Sequence, residues 1–113
     1  MDSLKKAERL KNSLRIGEIK KSGKSFSCRL LVIVFAKNQL DFNRIAVIAS
    51  KSVGGAVQRN RCKRILRSRV ARFGCQVKTG FDILLIARVP LLKATPIEID
   101  EAFLQLLKEA DLV

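Results

Sequence analysis

A chain of 113 residues allows one domain and no second core. With 48% hydrophobic and 29% charged residues its composition is globular, which excludes a disordered polyelectrolyte. Yet 23 Lys and Arg against 10 Asp and Glu leave a net charge of +13, a field that favours a polyanionic partner. There is no His, so the commonest general base and metal ligand are missing. Three widely spaced cysteines, Cys28, Cys62 and Cys75, match neither a zinc motif nor a paired disulfide framework, and they read as reduced thiols. The N-terminus is charged rather than apolar, and the longest apolar run, residues 30–36, is far too short to span a bilayer. A soluble, unexported, cytoplasmic protein without a membrane partner is therefore expected.

In chain order, residues 1–12 are polar and read as a flexible, frayed start to a single domain over 1–113. Ser13 is expected to cap a short helix over 14–21 that Gly23 stops, with Ile16 and Ile19 on its inner side. Residues 25–27 suggest a short edge strand after the Ser22-Gly23-Lys24 connection. The run over 29–36 and the segment over 44–50 read as two strands, suggesting an antiparallel hairpin around the loop 37–43. A loop over 51–55 leads into a helix over 56–73 that Gly74 ends. Residues 81–88 form a third strong strand, nearly apolar throughout and so central. Thr95, Pro96 and Glu98 are the N-cap, N1 and N3 of a capping box, and Ile99, Ala102, Phe103, Leu106, Leu107 and Ala110 make the inner face of the last helix. The elements imply an α+β or α/β sandwich.

The charge is unevenly spread. Residues 1–72 hold 19 basic and 4 acidic residues, whereas 73–113 hold 4 basic and 6 acidic. Between 51 and 72 there are eight basic residues and no acid. This block also has helical periodicity: Cys62, Ile65, Leu66, Val70 and Phe73 form one stripe. Asn60, Lys63, Arg64 and Arg67 fall opposite it, with Arg59 and Arg61 to either side. Packing the stripe on a sheet would present a rigid row of phosphate-binding groups, with Asn60 able to reach a ribose hydroxyl or base edge. Gly54 and Gly55 permit close backbone approach before the helix, whose first N–H groups favour an anion. The alternatives are a solvated face that confers only solubility and a helix lying on an anionic membrane. Only 5% of the chain is aromatic, all Phe, which disfavours a base-stacking sheet of the RNA-recognition type.

The segment Ala56, Val57, Arg59, Asn60, Arg61, Lys63, Arg64 and Arg67 closely resembles the A-V-x-R-N-R-x-K-R-x-x-R signature of the bacterial ribonuclease P protein component. Arg9-Leu10, Gly23-Lys24-Ser25 and the strand from Asp82 to Arg88 fit the same family in order, so the resemblance covers almost the whole chain. It implies a two-layer α-β sandwich of the ribosomal-protein-S5-domain-2-like class. The order would be α-β-β-β-α-β-α, with a left-handed β-α-β crossover, the opposite of the usual hand. It also implies that the partner is a catalytic RNA which, with Mg²⁺, removes the 5′ leader of precursor tRNA, with no organic cofactor and no DNA partner. On this resemblance Arg59, Asn60, Arg61, Lys63, Arg64 and Arg67 contact the catalytic RNA. A second family surface, between the first helix and the sheet, takes the leader.

Several family members carry aromatics at the positions of Ile16, Lys20 and Val34. With aliphatic and cationic groups there, leader contact is expected to rest on Lys20, Arg29, Lys51 and Arg88, with apolar contacts from Ile16 and Val34. No catalytic residue and no metal ligand is expected on the protein itself. A noncatalytic structural RNA-binding protein, such as a small ribosomal protein, is the alternative function. A self-contained nuclease would need a carboxylate constellation, whereas Glu98, Asp100, Glu101, Glu109 and Asp111 cluster near the C-terminus.

Overall fold

Alternation along the strands divides the core into two halves. In a computed structural model that describes residues 7–113, Leu31, Ile33 and Phe35 point to one face of a sheet, and Val32, Val34 and Ala36 to the other. The strands are β1 (Glu8–Arg9), β2 (Lys24–Ser27), β3 (Leu31–Lys37), β4 (Arg44–Ile48) and β5 (Phe81–Ala87). The helices are α1 (Ser13–Ser22), α2 (Ala56–Phe73) and α3 (Pro96–Glu109), with short 3₁₀ turns at Lys51–Val53, Gly74–Gln76 and Val89–Lys93. The sheet order is β1-β4-β5-β3-β2. α2 and α3 cover the face of Ile33 and Leu85, and α1 lies on the other. This is the expected α+β class, a mixed sheet with three helices.

β5 is central, as its apolar run predicts: Ile83, Leu84 and Leu85 are buried on alternating faces, and β3 and β4 flank it. The expected β3–β4 hairpin does not form. β5 lies between the two strands, antiparallel to β3 and parallel to β4. Asn43 shows how β5 is admitted. Its side chain accepts from Phe81 N–H at 2.9 Å and donates to the Lys78 carbonyl at 2.9 Å, tying the start of β5 to that of β4.

Two corrections concern the N-terminal region. Residues 1–6 of the expected flexible start lie outside the described residues, but Glu8 and Arg9 form β1, parallel to β4. Backbone bonds to the Asn43 and Ile45 carbonyls, both 2.9 Å, hold it. The cap of α1 is Asn12 rather than Ser13, because its Oδ1 accepts from both Leu14 and Arg15 N–H. α1 ends at Gly23, where a Cβ would sit 2.7 Å from the Ile19 carbonyl oxygen and 2.9 Å from that of Phe35. Only glycine allows the helix end to approach β3 so closely.

α2 begins after Gly54, at φ +135°, a conformation that L side chains rarely adopt. α3 starts with the predicted capping box: Glu98 N–H donates to Thr95 Oγ1 at 3.2 Å and Thr95 N–H to Glu98 Oε1 at 2.8 Å. Ile99, Phe103, Leu106 and Leu107 are all buried from it. Each such side chain contributes on the order of 2 kcal/mol, so this face anchors the acidic helix beside α2.

Candidate nucleic-acid interface

The first surface is the outer side of α2. Cys62 and Leu66 are fully buried, with Ile65, Val70 and Phe73 half-buried beside them, so the apolar stripe does pack on the core. Burial pushes the Cys62 thiol up, against a smaller lowering by Arg61, and it stays a protonated core group. Asn60, Arg61, Arg64 and Arg67 are exposed, and Arg59 and Lys63 are partly so. Among the described residues, none of these six side chains makes a hydrogen bond or ion pair.

The other two arginines of the basic block behave differently. Arg69 Nε donates to Asp100 Oδ1 at 2.9 Å and Arg72 Nη1 to Asp100 Oδ2 at 3.1 Å. The Arg72 guanidinium also lies 5.4 Å from the Phe73 ring centroid. An acid from α3 thus neutralises part of a block that carries none of its own. On α2 the free charge narrows to Arg59, Arg61, Lys63, Arg64 and Arg67, five cations on one rigid helix.

The second surface is the sheet face under α1. Leu10, Ile19, Val34, Ala46 and Leu84 form its core, with Ile16, Val32, Ile48 and Ile86 half-buried around them. α1 covers the end near Asp82, where its Arg15 is bound. The opposite end is open, and three predicted cations gather there. Arg88 follows β5, its N–H bonded to the Leu30 carbonyl at 3.0 Å and its Nη1 to the Cys28 carbonyl at 3.2 Å. Arg29 precedes β3, and Lys51 lies three residues beyond Ile48, which pairs with Ile86.

Lys20 stands exposed on α1, away from that trio, on the same side of the helix as Ile16. Val34 is only 6% exposed, so it forms the floor, and the accessible apolar residues are Val32, Ile48 and Ile86. Ser25 and Ser27, opposite Val34 and Val32 on β2, are exposed along the cleft's edge. A groove of about 480 Å³ at the outer edge of β4 is lined by Lys11, Ile16, Ala46, Ile48, Arg67 and Val70. It links the basic row to the cleft.

Sequence reasoning missed Asp82. This side chain is fully buried, and its two oxygens accept four hydrogen bonds. Oδ1 takes Arg44 Nε at 2.7 Å and Asn38 Nδ2 at 3.0 Å; Oδ2 takes Arg44 Nη2 at 2.7 Å and Arg15 Nε at 2.8 Å. Burial pushes the carboxyl up, but the bonds from Arg44, Arg15 and Asn38 together outweigh it and hold it at about 2. Both guanidiniums are raised in return, chiefly by the same hydrogen bonds. The available signal was an acid within an apolar strand, since a buried charge requires partners.

Among the described residues, no group of three or more His, Cys, Asp or Glu could hold a metal ion, and no helix is long and apolar enough to cross a membrane.

The ribonuclease P family model matches residues 4–111. The ribonuclease P protein component of Clostridioides difficile is 36% identical over 104 residues, covering 91% of each chain. That of Syntrophomonas wolfei is 37% identical over 109 residues, covering 96% of this chain and 92% of the relative. The Staphylococcus aureus RNase P protein superposes with a TM-score of 0.83 at 31% identity, covering 95% of this chain and 98% of that one. The Thermotoga maritima protein does so at 0.81 and 32% identity, over 90% and 96%.

Proposed function

As the chain belongs to the ribonuclease P protein family, whose members are subunits of an RNA-based endoribonuclease, we propose that it binds two RNAs through its two surfaces. The outer side of α2 holds the catalytic RNA, and the cleft beside α1 takes the single-stranded 5′ leader of precursor tRNA. The observation that carries this reading is the row of five unneutralised cations on α2. A rigid helix without internal carboxylates presents its guanidinium forks at fixed spacing to successive phosphates. Asn60 adds a donor and an acceptor within the row.

In the cleft, Arg29, Lys51 and Arg88 meet leader phosphates at the open end, Lys20 meets them from α1, and Val32, Ile48 and Ile86 give the bases an aliphatic floor. Phosphodiester hydrolysis, which releases the mature tRNA 5′ end, belongs to the RNA and its Mg²⁺. Of the protein's acids, Asp82 and Asp100 are each engaged by two arginines and are not offered to that ion. The protein instead lowers the repulsion between two polyanions, which matters most where Mg²⁺ is scarce. Its place of action is the cytoplasm, where it needs no DNA or membrane partner.

Replacing Lys20 separates the surfaces. Lys20→Ala is expected to weaken holoenzyme affinity for leader-bearing precursor about two- to fivefold, the scale of an exposed ion pair. Assembly with the RNA subunit, followed by filter binding, should be unchanged; a loss of assembly would contradict the two-surface arrangement.

A further inference from the structure

α1 is a weak helix by itself. It has ten residues, Gly17 at its middle and no acid in its first turn, and Ile19 is its only fully buried side chain. A helix so short depends on tertiary contacts for its existence and its pose. Its polar attachment is Arg15. Nε donates to Asp82 Oδ2 at 2.8 Å, Nη2 to the Lys37 carbonyl at 2.9 Å and Nη1 to Glu18 Oε1 at 3.3 Å. Asp82 is a fixed anchor, held within β5 by Arg44 and Asn38.

The helical spacing shows what this attachment controls. Arg15 and Lys20 lie about 140° apart around the axis, with Ile19 between them and Ile16 on the Lys20 side. Ile19 alone is a pivot. Rotation about it would carry Ile16 and Lys20 toward or away from the open sheet, and an apolar contact, being non-directional, resists such rotation weakly. A guanidinium that holds both the Asp82 carboxylate and the Lys37 carbonyl of the sheet resists it strongly, whereas its Glu18 bond lies within α1 and turns with it.

We infer that Arg15, anchored on Asp82, is a positioning residue for the leader: it sets the rotation of α1 and so the place of Ile16 and Lys20 over the cleft. This rests on the reading of that cleft as the leader site. Arg15 spends its donors on Asp82, the Lys37 carbonyl and Glu18, and Asp82 has no exposed surface, so neither needs to touch RNA.

The test uses the reconstituted holoenzyme and compares affinity for precursor tRNA carrying a single-stranded leader with affinity for mature tRNA. Arg15→Met removes the tether while leaving Asp82 paired with Arg44 and Asn38. It should lower the leader's contribution to affinity about tenfold, the loss of one charge-assisted hydrogen bond. Mature-tRNA affinity and RNA-subunit assembly should stay unchanged. Arg15→Lys, which keeps a charged donor for Asp82, should recover part of the loss. Adding Lys20→Ala to Arg15→Met should cost less than Lys20→Ala alone, because the two act through one pose.

A parallel fall in assembly and mature-tRNA affinity would show a general structural role and overturn the inference. Equal leader discrimination by the wild type and Arg15→Met would overturn it while the leader cleft stands. Absence of discrimination in the wild-type holoenzyme would remove the leader reading and the inference together.

Discussion

The division of the basic block into free and neutralised arginines can be measured as a salt dependence. Each phosphate neutralised on a duplex adds about 0.9 to the magnitude of the slope of log K against log salt. Five unpaired cations on α2 therefore supply a slope of about −4.5, so doubling the salt weakens binding about 20-fold through this helix. The double variant Arg61→Ala, Arg64→Ala removes two contacts, lowering the slope magnitude by about 1.8 and the cost of doubled salt to about 6-fold. Contacts made elsewhere add equally to both proteins.

Arg72→Ala is the internal control. Although 63% exposed, Arg72 is bound to Asp100 and lies over Phe73, so its loss should leave the slope unchanged within about 0.3. Titrations of labelled RNA subunit at four or more salt concentrations give all three slopes. Equal flattening by Arg72→Ala and the double variant, or no change in the double variant, would refute the assignment of free charge made from the ion pairs.

Two further predictions concern the scaffold. Because the folded-state value of Asp82, about 2, lies below its ordinary 3.8, the stability it contributes is present above pH 4 and is lost as pH falls toward 2. That contribution is about 2 kcal/mol. Urea unfolding between pH 2 and 7 should show it, and Asp82→Asn should remove that dependence while destabilising by about 3 kcal/mol, since two guanidiniums lose their counter-charge; an unchanged pH profile in the variant would refute the cage. Gly23→Ala should cost about 1–3 kcal/mol in thermal unfolding, because the new methyl meets two backbone oxygens that cannot move independently; an unshifted melting curve would show that α1 does not approach β3 as described.

The parts of the fold legible from sequence are those with local chemical markers. Gly74 ends α2, and Thr95, Pro96 and Glu98 open α3, because caps act within one turn. That β3 and β4 each pair with β5 rather than with each other was not legible. Both strands carry apolar residues on both faces, so neither shows the alternation that would register it against a neighbour. β1 has two charged residues held by main-chain bonds alone, which leave no side-chain pattern.

The same limit shapes the candidate sites. The basic face of α2 follows from 3.6-residue periodicity, but the capture of Arg69 and Arg72 by Asp100 is a contact between helices about 30 residues apart in sequence. Alternation places Val34 on the opposite face from Ile33 and Phe35. That α1 then covers it, leaving Val32, Ile48 and Ile86 accessible, depends on how Arg15 and Ile19 seat the helix.

The central claim is that this chain acts by assembling with a catalytic RNA that performs the cleavage. Its most direct test is 5′ processing of precursor tRNA at low Mg²⁺ by RNA subunit alone, protein alone and the mixture. The account predicts release of the leader at the mature 5′ end by the mixture, little by the RNA alone and none by the protein. A mixture no more active than the RNA alone, or cleavage by the protein without RNA, would contradict it.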